Sequence, residues 1–314
     1  MIFINQTTTN PLFNIAAEEF TLKHFSEDVL MLWQSERSVI VGKHQNLVAE
    51  VNLHYTRTHN IPVIRRLSGG GTVFHDPGNI NYTLIQTKEN RNRLIDFKRF
   101  SAPVIEFLKT FGIQADIEGK NNLVINGKKF SGNSAHVFKN RVIHHGTLLF
   151  NTNIDQLEKV IRPSKAQISD KSVKSVRATV MNIADALYSP MSISEFKSML
   201  TTFLKDYYQI SRSVSFSKDD VNTIKVLIEK KYATIDWNYG YSPAYEFENR
   251  VDDAELYLTV KKGVIEQIKL TGFDSSLAEV FAGMMHRYED TLLLTEKLDI
   301  SPAQKQKLLS LFGF

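Results

Sequence analysis

The stretch RRLSGGGTVFHDPGNINY, residues 65 to 82, places Gly69, Gly70 and Gly71 directly after a pair of arginines. No other run restricts the chain so strongly. A turn needs one or two glycines for positive φ, and turn geometry alone does not explain a third. Close approach of another group to the backbone would explain it, and the arginines make an anion the natural occupant. Arg65, Arg66, Ser68, His75, Asp76 and Asn79 crowd the same turn. Backbone N–H groups with guanidinium forks suit a carboxylate or a phosphate. The plain structural alternative is a loose hairpin between strands at 61–64 and 80–86, with solvated arginines. Neither standard nucleotide loop fits: Gly42-Lys43 stands alone, and Phe74 occupies the last position of a G-x-G-x-x-G spacing.

A chain of 314 residues suggests two domains. It contains no cysteine, which excludes disulfides, thiolate zinc sites and a cysteine nucleophile. No stretch approaches the ~20 apolar residues of a membrane span. The start MIFINQTTTN shows no export signal, so a cytoplasmic protein is expected. The net charge of +4 is compatible with an acidic protein partner, anionic cofactors or nucleic acid.

The pattern predicts a helix over 12–25 and strands at 39–41, 61–64 and 80–86. A second helix over 96–111 must be kinked or started by Pro103. Asn126-Gly127 predicts a type I′ hairpin, and VIHHGTLLF a further strand. Residues 164–181 are polar and basic without a period, which reads as a mobile surface loop. Ser192 with Glu195 forms a capping box, and Ser217 caps another helix through about Tyr232. Residues 234–247 read as a crossing between domains. A hairpin turning at Lys262-Gly263 and two helices, the second opened by Ser301-Pro302, complete a small C-terminal α+β unit.

Lys128 and Lys129 follow the Asn-Gly turn. A lysine pair there commonly solvates a sheet edge. In the sharper reading one of them points inward to bridge two anions, and strand alternation allows only one. Lys129 would share a face with Ser131, and Lys128 with Phe130. His144-His145 lacks the third ligand of a zinc site. One of the two could serve as a donor to phosphate. No G-x-S-x-G elbow supports a serine hydrolase.

Taken together, RRLSGGGTVFHDPGNINY, GKKFSGNSA, HHGTLLF, SVKSVRATVMNI and IDWNYGYSPAYEF resemble the lipoate–protein ligase A family. The first is similar to that family's R-R-x-S-G-G-G-x-V-x-H-D-x-G-N, and the second to its K-x-S-G segment. The matches run in the family's order from Asn10 to the C-terminus. The resemblance implies an α+β protein. Residues 1–235 would form a biotin/lipoate ligase-type catalytic domain, a mixed sheet with flanking helices. Residues 243–314 would form a small α+β accessory domain. It implies that lipoate attacks the α-phosphate of ATP, giving lipoyl-AMP, and that a lysine of a lipoyl domain or H protein then takes the acyl group. Lys129 would be the central lysine. Arg66, Ser68, Gly70, Gly71, Thr72, Val73, Phe74, His75, Asn79, His145 and Arg177 would contact ATP or lipoyl-AMP. The segment from Lys171 to Asn182 would fold over the nucleotide. Mg²⁺ would be held through the ATP phosphates, with no protein metal ligand assigned. One departure is Asn122, where the family usually has an aspartate.

Related octanoyl and lipoyl transferases work through a catalytic cysteine, which this chain lacks. A cysteine-independent amidotransferase that does not activate the acid remains an alternative, and biotin ligation is possible on the same fold. A nucleic-acid-binding module is a remote one, because the basic residues are scattered and no aromatic-studded sheet motif accompanies them. Neither nucleic acid nor a membrane is expected as a partner.

Overall fold

The computed structural model describes residues 1–87, 95–161 and 166–314. Part of the predicted basic loop, residues 164 and 165, lies outside the described residues. The largest sheet has eight strands, in the order Ser213–Val214, Ile2–Asn5, Val29–Trp33, Asn79–Thr87, Arg141–Leu149, Lys128–Phe138, Asn122–Ile125 and Asp116–Glu118. Ile2–Asn5 pairs in parallel with both its neighbours, and the remaining pairs are antiparallel. Arg141–Leu149 lies between two long partners, and every one of its residues is buried.

Helices cover both faces. Phe97–Lys109 and Ile193–Tyr207 pack Phe100, Phe107, Phe196 and Leu200 against Leu32, Tyr82 and Leu148. On the other face Pro11–His24 buries Ile15, Ala16 and Phe20 against Met31, Trp33 and Ile143. Asn10 caps that helix and Pro11 opens it. Pro103 lies inside Phe97–Lys109 and does not start it. Both capping boxes, at Ser192 and Ser217, are formed. Asn126 and Gly127 both have positive φ, as a type I′ turn demands.

The glycine turn is not a hairpin between two paired strands. Ser38–Val41 lies between Val63–Arg65, parallel to it, and Val73–His75, antiparallel to it. Residues 66–72 therefore cross over the end of Ser38–Val41, where Gly42 follows. The Gly70 carbonyl oxygen would lie 2.1 Å from a Cβ at position 42. Gly42 is thus needed so that one backbone can lie on another.

The C-terminal sheet is larger than the predicted hairpin. Tyr245–Val251 precedes Ala254–Lys261 and Val264–Thr271, and three helices follow: Ser276–Phe281, Tyr288–Lys297 and Pro302–Leu311. Tyr245 therefore begins a strand inside the predicted crossing. A fourth strand, Gln167–Asp170, pairs antiparallel with Tyr245–Val251. It comes from the segment expected to be a mobile loop, and its backbone bonds are met by the C-terminal sheet. Val39, Val41 and Phe74 share one core with Phe247, Leu258 and Phe312. Among the described residues no helix is long and apolar enough to cross a membrane.

Candidate active site

A cavity of about 620 Å³ opens between the glycine turn and the strands Lys128–Phe138 and Arg141–Leu149. Arg66, Gly70, Gly71, Thr72, Val73, His75, Lys129 and His145 all line it. Alternation places Val73 and His75 on its wall and turns Phe74, between them, into the core shared with the C-terminal unit. Phe74 therefore does not border the cavity, contrary to expectation. Asn79 is buried at the start of its strand, opposite Leu149, and is not on the wall. Its side chain has no hydrogen-bond partner among the described residues. Arg177 is exposed and also off the wall. Ser68 sits just behind the wall, held by Arg66 and His145.

Gly70 has φ +84°, which only glycine adopts without strain. Arg66 organises the turn from within. Its Nη2 donates to the carbonyls of Gly69 at 2.5 Å and Gly71 at 2.8 Å, and Nη1 donates to Ile40 at 3.1 Å. Burial lowers the pKa of Arg66 to about 10, while Glu18 opposes the shift. Arg65 does a different job. Its guanidinium donates to the carbonyls of Gly42, Gln45, Trp237 and Asn238 and to Ser242, tying the turn to the crossing segment.

Lys128 is exposed and Lys129 lines the cavity. The ladder slips at this point: Val124 faces Lys129 and Leu123 faces Ser131, which leaves Phe130 as the extra residue of a bulge. Phe130 consequently drops into the core and does not share the exposure of Lys128. The Lys129 ammonium lies over Gly132, 3.1 Å from where a Cβ would be. Burial pushes its pKa down, and the Arg66 charge adds to that. His75 is held neutral by burial, at about 3.

The segment after Gln167–Asp170 lies across the turn. Gln45 Nε2 and the Thr72 N–H both donate to Ser175 Oγ at 3.0 Å, and Ser175 N–H donates to Glu50. The Lys129 N–H donates to Thr179, and Met181 donates back to Lys129. Val173, Lys174, Ser175 and Val176 line the cavity.

Sequence reasoning missed Trp33, Ser134, Ser175 and Asn133 on or beside the wall. It also missed Glu18, fully buried in the first helix, which contacts His145. A glutamate amid the apolar residues of that helix was the available signal. Asn122 lines the cavity, so the departure from the family pattern falls within the site. Among the described residues no group of three or more histidines and acids could hold a metal ion.

The model of the family described as "Lipoyl protein ligase A/B catalytic domain" matches residues 10–205. The chain belongs to this family. It is 37% identical over 281 residues to lipoate-protein ligase LplJ of Bacillus subtilis, covering 87% of this chain and 85% of that one. Among solved structures, P. falciparum LipL1 in complex with lipoate superposes with a TM-score of 0.66 at 23% identity, covering 98% of each chain. A lipoate-protein ligase A bound with ATP gives 0.66 at 24% identity, covering 76% of this chain and 98% of that one. These likenesses establish the ligase fold. The bulge at Lys129, the turn at Gly70 and the bond from His145 to Glu18 are read from this family member itself.

Proposed function

We propose that the chain is an ATP-dependent, AMP-forming lipoate–protein ligase. The observation that carries this is the meeting of Lys129 and Arg66 with a glycine turn in one cavity, with no carboxylate among the described residues hydrogen-bonded to either. Two anions, a carboxylate and a triphosphate, must approach each other for the carboxylate oxygen to attack the α-phosphorus and release pyrophosphate. Fixed cations and backbone N–H groups in a covered site offset their repulsion and the charge that develops. In the second half-reaction an acceptor lysine attacks the acyl carbon and AMP leaves. The acceptor is a lipoyl domain or H protein, and the compartment is the cytoplasm.

The donor set suits Mg²⁺ arriving on the nucleotide as part of the substrate, with Glu118 the carboxylate on the cavity wall. We also propose that residues 1–235 act as the catalytic unit and 243–314 as the accessory one. The strand Gln167–Asp170 would link them. ATP–pyrophosphate exchange measured with lipoate, octanoate and biotin tests the activation step. Exchange with lipoate or octanoate is expected. Transfer from supplied lipoyl-AMP without any exchange would instead indicate an amidotransferase.

A further inference from the structure

A band of cations and aromatic rings runs from the glycine turn across the protein surface. The His44 ring lies against Gly69, its Cδ2 4.0 Å from where a Cβ would be, and its other neighbour is the Tyr241 ring. The Lys43 ammonium stands 5.7 Å from the centre of the Tyr241 ring, which in turn meets Trp237 at 4.8 Å. Trp237 carries the Lys231 ammonium over its ring at 4.0 Å. Lys231 and Lys23 both bond Glu19 at 2.6 Å, and Lys23 and Lys139 both stand over the Phe138 ring. The band begins at the cavity. Ser134, on the cavity wall, donates to the Gly69 carbonyl at 2.7 Å, and His136 and Phe138 follow on the same face of that strand.

Glu19 is bonded to two of these ammonium groups. Among the described residues no carboxylate bonds the other two, Lys43 and Lys139. His136 lies within the field of the band. Its pKa is lowered to about 4, first by burial and next by the Lys43 charge, with Lys231 adding to the shift and Glu19 opposing it. Like charges held in one region repel one another, and the rings and lysine stems between them are apolar. An anionic surface laid over the band would relieve both conditions.

We propose that this band is where the acceptor protein docks, through an acidic surface beside its target lysine. This rests on the ligase reading above. The lysine must enter the cavity while the folded domain that carries it stays outside. That domain must therefore cover surface next to the opening, and the band starts there. Carboxylates facing Lys43 and Lys139 would speed encounter and fix the orientation in which the lysine arrives. Trp237 and Tyr241 between them supply aromatic contact area of the kind that anchors protein interfaces. Single-stranded nucleic acid fits less well, because ammonium groups already stand over the ring faces on which bases would stack.

The test compares two double variants that change the net charge equally. Lys43→Glu with Lys139→Asp reverses the two unpaired cations of the band, and aspartate suits the φ of 56° at residue 139. Lys98→Glu with Lys109→Glu reverses two exposed lysines of the helix Phe97–Lys109, over the opposite face of the sheet. Fluorescence anisotropy of a labelled apo-lipoyl domain measures affinity at low salt. The band pair is expected to weaken binding about 10-fold and the helix pair less than about twofold. At about 0.5 M salt the band effect should shrink below about 3-fold. Pyrophosphate exchange should stay within about twofold in both pairs, since the cavity is untouched. If the band pair loses exchange, Lys139→Asp alone carries the comparison, with a loss of affinity of about 3-fold expected. Equal weakening by both pairs, no weakening by the band pair, or no binding of the domain by the parent would overturn the proposal. So would a single-stranded oligonucleotide whose affinity falls in the band variant while that of the lipoyl domain holds. Binding needs no turnover, which keeps the two readings apart. If the parent exchanges no pyrophosphate, the activation step is wrong, and the affinity ratio still decides the docking surface.

Discussion

His145 and His286 are both buried imidazoles with both nitrogens bonded, one in the cavity wall and one in the C-terminal unit. Their partners differ. His145 lies between a serine and a carboxylate. His286 donates from Nε2 to the Phe312 carbonyl at 3.0 Å, and its Nδ1 accepts from the Tyr245 hydroxyl at 2.8 Å. Phe247, Phe312 and Phe314 pack around that ring, and burial lowers its pKa to about 4. Among the described residues no carboxylate hydrogen-bonds His286, and the Phe312 carbonyl only partly offsets its burial. Burial is thus common to both rings; what differs is the chemistry of the groups that face their two nitrogens.

The largest effect expected from this contrast is confined to the cavity. Lys129→Ala should cut lipoyl-AMP formation by two to three orders of magnitude, since one ammonium offsets two approaching anions. Lys128→Ala, one residue away but exposed, should change it less than about twofold. Pyrophosphate exchange with circular dichroism of both variants measures this. Comparable losses in both would remove Lys129 from its assigned place.

The next effect belongs to the C-terminal unit and appears as stability. His286 titrates near 6.5 when unfolded and near 4 when folded, so between these values the unfolded chain binds more protons. Its contribution is complete above pH 6.5 and is lost as pH falls toward 4, on the order of 3 kcal/mol in all. His75, at about 3, adds in the same direction. Denaturant unfolding at pH 7 and pH 4.5 should show this loss. In His286→Gln the pH dependence should be shallower but still present because of His75. An unchanged slope would mean that His286 is not held neutral by the fold.

Local chemistry in the sequence was enough for some features and not for others. Asn126-Gly127, Lys262-Gly263 and the capping serines each carry their own geometric instruction, and the structure follows it. Residue chemistry singled out the glycine turn but left open which of Lys128 and Lys129, and which of His144 and His145, faces the cavity; the choice of Lys129 and His145 came from the family resemblance. Phe74 was misplaced because the motif was taken whole, although simple alternation turns it away from Val73 and His75. The strand Gln167–Asp170 could not be read, since its pairing partner lies far along the chain. Phe130 depended on a bulge, which leaves no mark in the residues themselves. Glu18 passed as an ordinary helix former because its role depends on a histidine 127 residues away.

The smallest predicted effect sharpens the comparison within the glycine turn itself. Gly70 needs its left-handed φ, and an added Cβ would also stand 3.1 Å from Arg66 Nη2. Gly70→Ala should therefore cost ~1–2 kcal/mol and disturb the cavity. Gly69 has no such demand. An added Cβ there would meet only His44 Cδ2, at 4.0 Å, and Gly69 is not on the cavity wall. Alanine also restricts the unfolded chain slightly, which favours the folded state. Gly69→Ala should leave stability within about 0.5 kcal/mol of the parent, and lipoyl-AMP affinity should be nearly unchanged. Thermal unfolding and titration with lipoyl-AMP measure both. If stability holds but affinity falls sharply, the ligand approaches the backbone at Gly69 as well. The first of the three glycines would then serve recognition, as proposed for Gly70 and Gly71.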